Sequence, residues 1–362
     1  MAVLDGFCFE KSGNLADYAG EWTFNAGASI SNADGPFGGT APYVLMGQNH
    51  NENGLNGGCN ATRNIRNSRF PTGTATFGFR YRCVSGMVLV FYSASGNAQA
   101  ALDISPTGVP TVYRGNNGAV RASIYGITNP NAPDTVFVQV AQGNIGAVPT
   151  SNTWNLMELR PTLSGSMGAL EIKVNGAVVG EFSGLNLWGG ADLTFGGMGY
   201  FSPGNGGIAD GYTTDTTGPA SENGYLGDVR VSWHPGSAPG AQTDFAPTGA
   251  PTNWEATSGS PAAPATRYAT GTNTGQTDLY VPTPLLAGGG AIVAVLPEML
   301  VAKPTSGPRL LTNVVRSGTT LAQGIDHAPG QSPLVFGDVF TLDPATGQPW
   351  VALPQFGQKL TG

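Results

Sequence analysis

The stretch "TWNLMELRPTLSGSMGALEIKVNGAVVGEF", residues 153–182, decides the fold. Met157 and Leu159 alternate with Glu158 and Arg160, and Leu170, Ile172 and Val174 alternate with Glu171 and Lys173. Successive side chains of a strand point to opposite faces, so this period of two predicts strands with one apolar and one polar face. Asn175-Gly176 follows, the pair favoured in a two-residue hairpin turn because both turn positions need positive φ. The stretch therefore reads as three strands joined by tight turns. A strict two-residue loop would set Val179 opposite Ile172 and Glu181 opposite Leu170, so a bulge near Gly180 is expected to keep Glu181 in water.

The same alternation extends outward in both directions. In "TFGFRYRC", residues 76–83, Phe77, Phe79, Tyr81 and Cys83 share one face and Gly78, Arg80 and Arg82 the other. Met87 to Tyr92 is apolar on both faces, as in a strand held between two layers. Further strands are expected around Leu102 and Ile104, after the Pro106-Thr107-Gly108 turn through Val112, and over Val136 to Val140. "GYLGDVRVSW", residues 224–233, reads as a closing strand with Val229, Val231 and Trp233 on one face, paired near the first strand. The Gly- and Asn-rich segments 47–67 and 200–224 read as long surface loops. Many short strands without helices between them imply an all-β, antiparallel sandwich over residues 1–233.

From His234 the composition changes. Pro235, Pro239, Pro247, Pro251, Pro261 and Pro264, mixed with Gly, Ala, Ser and Thr, predict an extended connector over 234–270. Residues 271–362 read as a small β-rich module with Leu279, Ile292, Val293, Val295, Val314, Phe336 and Phe340 as its candidate core. Leu285 to Leu296 is the most apolar run. Gly288, Gly289 and Gly290 with flanking Pro284 and Pro297 make it too short to span a bilayer, so it reads as a loop feeding a buried strand.

Composition narrows the function. Charged residues are 11% of the 362, against roughly 25% in an ordinary soluble domain. A surface built from Asn, Ser, Thr and backbone suits contacts with copies of itself or other subunits, because few charges need desolvating there. The net charge of −7, with no basic cluster, argues against nucleic acid as a partner. The start, "MAVLDGFCFEK", has neither the basic segment nor the apolar run of a secretory signal, so synthesis in a reducing cytoplasm is expected. Cys8, Cys59 and Cys83 have no metal-type spacing and are expected as reduced structural thiols, with a Cys59–Cys83 bridge left open.

At "NTWNLMELRPTLSGSMGALEIKVNGAVVGEFSGL", residues 152–185, with "GYLGDVRV" later, the chain resembles the concanavalin A-like lectin/glucanase jelly roll as it occurs in bacteriophage virion proteins. "GDVRVSWHPGSAPG", "TNWEATSG", "TRYATGTNTGQTDLY", "AIVAVLPEMLVAK" and "DPATGQPWVALPQFG" resemble, in order, the C-terminal region of phage tail-associated proteins of this kind. One departure is Gly227-Asp228 where an Asp-Asp pair is common, which puts any role of a second carboxylate in doubt. The resemblance implies a concanavalin A-like jelly roll over 1–233 and a place on the virion, in the tail or another external appendage. It implies other copies and other virion proteins as partners.

The residues give little sign of chemistry. Glycan hydrolysis needs two carboxylates across a cleft, and no strand presents an acid-x-acid set. Glu158, Glu171 and Glu181 are expected on solvated faces. His50, His234 and His327 are too scattered for a metal triad, and "QNHNENG" around His50 and Glu52 lacks zinc spacing. "FGGMGYFSPGNGG" has no helix after it to cradle a phosphate, and Asn60-Ala61-Thr62 reads as a chance glycosylation match. No cofactor or metal is expected. Trp22, Trp154 and Trp233 read as core. Trp188, in the Gly-rich turn "NLWGGAD", is the candidate for stacking on a sugar ring, and Trp254 and Trp350 are candidates for pinning the connector and tail end in assembly. The leading expectation is a non-enzymatic virion structural protein of a tail fibre, spike or tip. Open beside it stand a capsid decoration or head-fibre protein, a glycan-binding adhesin for host attachment, and a polysaccharide depolymerase.

Overall fold

The computed structural model describes residues 4–8, 22–24, 28–31, 36, 43–46, 59–64, 73–83, 86–93, 98–115, 137–143, 146–188, 195–202, 206–215, 223–258, 266–285, 291–305 and 307–362. They divide into two units, Met1–Ser232 and Trp233–Gly362. The expectations for Gly288, Gly289, Gly290, His50 and "QNHNENG" lie outside the described residues. Among the described residues no helix is long and apolar enough to cross a membrane.

The strands of the first unit are, in order, β1 (Leu4–Phe7), β2 (Trp22–Phe24), β3 (Ala28–Ser31), β4 (Tyr43–Met46), β5 (Cys59–Asn64), β6 (Thr76–Arg82), β7 (Met87–Tyr92), β8 (Ala98–Ile104), β9 (Pro110–Gly115), β10 (Phe137–Gln142), β11 (Asn155–Thr162), β12 (Gly168–Val174), β13 (Ala177–Leu185), β14 (Gly197–Ser202) and β15 (Gly206–Thr214). They form two antiparallel sheets. The first runs β13-β12-β11-β6-β15-β4-β3 with β1 on β15, and the second β10-β9-β8-β7-β14-β5-β2. The crossings between sheets give the jelly-roll wrap. The chain passes from β4 to β5, from β6 to β7, and back from β14 to β15, and these strands lie side by side in both sheets.

Between the sheets, Phe77, Phe79 and Tyr81 of β6 meet Phe91 and Tyr200 of the second sheet and Phe195, all buried. The Phe79 and Tyr200 rings are edge to face at 4.9 Å, and Phe77 packs on Phe91 at 5.4 Å and Phe195 at 5.6 Å. Such pairs add about 1 kcal/mol each beyond the area they bury. The Tyr81 hydroxyl, which cannot be left dry, donates to Pro149 O at 3.0 Å. Cys83 lies in the same core as a free thiol, not bridged to Cys59, and burial pushes its pKa up to about 11. Both faces of β7 are buried, as its two-sided apolar run requires.

The hairpin turns where the sequence places it, with Asn175 at φ 50° and Gly176 at φ 83°. The bulge is also there. Ile172 pairs with Gly180 and Lys173 with Val178, leaving Val179 as the extra residue, and Glu181 stays exposed opposite Glu171. Two other readings need correction. Residues 224–233 contain no strand, and Trp233 is only half-buried. The strand that pairs with the first is β15, in register Leu4↔Thr214 to Phe7↔Gly211, inside a segment whose glycines read as surface loop. All nine residues of β15 are buried, and a side chain at Gly211 would strike Gly78 O and Phe7. Glycine there reflects close packing of neighbouring chain, which composition cannot distinguish from looseness.

The second unit holds β16 (Gly236–Thr243), β17 (Ala246–Thr248), α1 (Asn253–Thr257), β18 (Tyr268–Thr270), β19 (Thr277–Pro282), β20 (Glu298–Val301), β21 (Leu311–Ser317), β22 (Thr320–Gln323), β23 (Leu334–Gly337) and β24 (Gln355–Leu360). A five-stranded sheet runs β16-β19-β24-β21-β22, with β17-β18 and β20-β23 as separate ribbons. Part of the Pro-rich stretch is thus the edge strand β16, where Pro239 needs no ladder partner for the N–H it lacks. Leu279 and Val314 are fully buried, while Ile292, Val293, Val295, Phe336 and Phe340 are half-buried. Ile292 and Val295 make isolated bridges to Trp350 and Phe340 and belong to no strand. Tyr280, Leu311, Val315 and Met299 complete the apolar interior. Carboxylates are buried with it, Asp278 and Asp338 among them. Asp278 accepts from Asn253 Nδ2 at 2.7 Å and from the Tyr280 hydroxyl at 2.5 Å. Asp338 accepts from Asn313 Nδ2 at 2.9 Å and pairs with His327 Nε2 at 2.8 Å.

The turn gives a direct test. Gly176→Val forces a β-branched side chain into the left-handed region and is expected to cost roughly 1–2 kcal/mol in urea unfolding of the chain.

Candidate functional site

The polar face of the first sheet, turned away from the second, carries a cluster of charged side chains. It is built from β12, β11, β6 and β15. Period two puts Glu171 and Lys173, Glu158 and Arg160, and Gly78 and Arg80 on this side, because their neighbours fill the core, and the register shift between Ile208 and Gly211 brings Asp210 and Tyr212 of β15 to the same side. Glu158 was expected in solvent, but it is 2% exposed, and Asp210 is 5% exposed. What covers them is residues 223–231, the segment read as a closing strand. It crosses the face as an irregular strap.

The strap is held through its backbone amides. The Leu226 amide donates to the Tyr212 hydroxyl at 2.9 Å, and the Gly227 amide to Glu158 Oε1 at 2.8 Å. The Val231 amide donates to Asp210 Oδ2 at 3.0 Å, and the Gly224 amide to Thr214 Oγ1 at 3.1 Å. The Tyr212 hydroxyl itself donates to Glu158 Oε1. This arrangement needs a gap at Gly78, where a Cβ would lie 2.2–2.8 Å from the Tyr212 ring and hydroxyl. Tyr225 of the strap sits with its ring centre 3.8 Å from Lys173 Nζ and 5.9 Å from Arg160 Cζ. Arg80 joins Asp228 of the strap to Asp210 of the sheet, its Nε 3.7 Å from Asp210 Oδ1. The segment fails to pair as a strand because its amides are engaged by side chains that project from a sheet face, and not by a neighbouring strand edge.

Burial sets the electrostatics. Desolvation pushes the Asp210 carboxyl up to about 6, against the opposing pull of the Val231 amide, Arg80 and Arg230. Burial likewise draws Arg80 below the usual arginine range. Glu158 and Asp210 stand on strands separated by β6, and each is engaged by a strap amide. A hydrolytic pair needs an open space between its carboxylates for the sugar, and here the space over them is occupied by backbone. Among the described residues no group of His, Cys, Asp and Glu could hold a metal ion. His234 Nδ1 lies 3.1 Å from Thr283 O, and His327 is enclosed with Asp338.

The tryptophans of interest fall elsewhere. Trp188 follows β13, is 44% exposed, and leans on the loop at Gly165, where a Cβ would lie 3.4 Å from the ring. Its amide donates to Asn186 Oδ1 at 3.3 Å. Trp254 is half-buried in α1. Trp350 is 3% exposed and donates from Nε1 to Phe340 O at 2.7 Å, so its ring holds the interior of its own unit. Trp154, expected in the core, is half-buried beneath Arg82, whose Cζ lies 5.4 Å from the ring centre. Sequence reasoning missed Asp210, Tyr212 and Arg80 as a cluster. Period two puts Asp210 and Tyr212 on one face, but it sets the core residue Ile208 there too, and the register shift that separates them is not marked by the alternation.

No family model matches the chain, and no curated protein does. Among solved structures, a sialidase is similar over 59% of this chain at 13% identity and a TM-score of 0.36, and the match spans only 18% of the sialidase. The carbohydrate recognition domain of Emp46p in its potassium-bound form is similar over 56% of this chain and 93% of its own, at 9% identity and a TM-score of 0.35. The VIP36 exoplasmic/lumenal domain in its Ca2+/Man-bound form is similar over 60% of this chain and 92% of its own, at 10% identity and a TM-score of 0.36. Likenesses this distant carry no argument about what the present chain binds or does. The chain's own strand order makes it an all-β protein, with an antiparallel jelly-roll sandwich and an additional β region.

Glu158→Ala would strand the Tyr212 hydroxyl and the Gly227 amide and is expected to cost ~2–3 kcal/mol in denaturant unfolding. Glu158→Gln, which keeps an acceptor oxygen, should cost clearly less; equal losses for the two would mean that the acceptor is not what matters.

Proposed function

We propose that this chain is a non-enzymatic structural protein of a bacteriophage particle, associated with the tail as part of a fibre, spike or tip. The observation that carries the non-enzymatic part is the strap. Glu158 and Asp210, the two buried carboxylates on the polar face of the sandwich, are engaged by the chain's own amides. The phage assignment is supported by the sequence resemblance of residues 152–185 and of the ordered C-terminal segments. A surface with few charges supports repeated contact with other copies and other virion proteins, where multivalency raises the strength of weak single contacts. Particles purified from infected cells and labelled with an antibody to this chain should show it by electron microscopy at the tail. Label on the head would favour a capsid decoration or head-fibre protein, and absence from the particles would overturn the proposal.

A second reading adds glycan contact at the host surface. It is favoured by Trp188, a partly exposed ring beside Asn186 and the serine-containing loop 164–166, since an aromatic face flanked by hydrogen-bonding groups is how proteins hold sugars. On a glycan array of host polysaccharides the wild-type chain should bind and Trp188→Ala should bind at least ~10-fold more weakly. Equal binding by both would remove Trp188 from this role.

A further inference from the structure

The strap over the first sheet has a physical character unlike the rest of the sandwich. Residues 223–231 form neither strand nor helix, and from Tyr225 to Val231 every residue is half-buried or exposed. The surface beneath is not apolar. It consists of Glu158, Arg80, Asp210, Tyr212 and Thr214, joined to the strap by side-chain-to-backbone hydrogen bonds and by the Arg80–Asp228 pair. The side chain of Asp228 is 74% exposed. Lifting such a segment uncovers groups that water solvates well and leaves the aromatic core between the sheets untouched. Apart from the half-buried Tyr225, Leu226, Val229 and Val231 and the Tyr212 ring, the apolar surface whose exposure makes global unfolding costly stays buried in this step.

We propose that residues 223–231 are a releasable latch, closed by amides on Glu158, Tyr212 and Asp210 and set by the ionisation of Asp210. The latch opens without unfolding the sandwich and exposes a face lined by two carboxylates and Arg80.

The direction of the pH effect follows from the neighbours of Asp210. The charges that face it are Arg80 from β6 and Arg230 from the strap, with Asp228 of the strap also paired to Arg80. Arg82, further along β6, is turned to Trp154. β1 brings Phe7 opposite Gly211, and β4 is paired to β15 through Val44 and Ile208. Despite the two arginines, burial dominates and holds the carboxyl up at about 6, while an opened, hydrated Asp210 returns toward the ordinary 3.8. The closed form therefore binds the proton more tightly than the open one. Acid closes the latch, and closure weakens as pH rises through the window between the two values, by a factor on the order of 100 at most.

Hydrogen exchange resolved to single amides tests this on the intact chain. After correction for intrinsic rates, protection of the Leu226, Gly227 and Val231 amides should fall by ~10–100-fold between about pH 4.5 and about pH 7.5, while amides of β11 and β12 hold theirs. Asp210→Asn keeps an oxygen for the Val231 amide but has no proton to lose, so its strap should stay protected and lose the pH dependence. Val231→Pro removes the donor and should leave the strap open at both pH values with the sandwich intact, which keeps the test available if Asp210→Asn fails to fold. Strap amides that exchange only together with β11 and β12 would overturn the latch. Strap protection that does not change with pH, or that changes in Asp210→Asn as in wild type, would overturn the role of Asp210.

Discussion

A carboxylate buried on a sheet face must be given hydrogen-bond donors, and this requirement organises the outer surface of the first sheet. Glu158 and Asp210 project from β11 and β15 at positions where period-two patterning alone would leave them in water. Without the strap each would be open to solvent; with it, each needs a donor to replace that solvent. The amides of Gly227 and Val231 supply one apiece, the Tyr212 hydroxyl supplies another to Glu158, and Arg80 brings charge to Asp210. Tyr212 can deliver its hydroxyl only because position 78 carries no side chain. A strap residue, a tyrosine, a glycine and two acids from four separate stretches of chain thus depend on one another.

The second unit meets the same requirement differently. Asp278 and Asp338 draw on buried side-chain donors, Asn253 and Tyr280 for one and Asn313 and His327 for the other, and the Ile325 amide also donates to Asp338 at 3.3 Å. Those side chains are themselves part of the packed interior. The strap, by contrast, is an irregular segment held to Glu158 and Asp210 by its amides. In a chain with 11% charged residues, several of those charges work inside as fasteners, so few are left for the outside. A surface of that kind is the physical basis for reading the protein as a part that packs against other parts.

The hairpin at Asn175-Gly176, its bulge at Val179, and strands β6, β7, β8 and β9 were all legible, because each is specified by neighbours in sequence: alternation, a turn pair, a two-sided apolar run. Strand β15 was not. Its three glycines, Ala209 and Asp210 have low strand preference, and it is a strand because β6, β1 and β4 lie against it. Residues 224–233 err in the opposite direction. Val229 and Val231 alternate as in a strand, yet no strand edge reaches them, while carboxylates on a sheet face do. The burial of Trp350 was not legible, since its environment depends on Ile292 and Phe340 from distant segments.

By itself the sequence determined that this is an all-β chain, with strands of period two, a type of turn at Asn175-Gly176, an aromatic inner face on β6 and a change of composition at His234. These are local properties, carried by residues within a few positions of one another. Which strands meet, which glycines stand where neighbouring chain leaves no room for a side chain, and that Glu158 and Asp210 lie dry under residues 223–231 were decided only in three dimensions. A side chain's hydration depends on what the rest of the chain places over it, and no pattern along the chain encodes that.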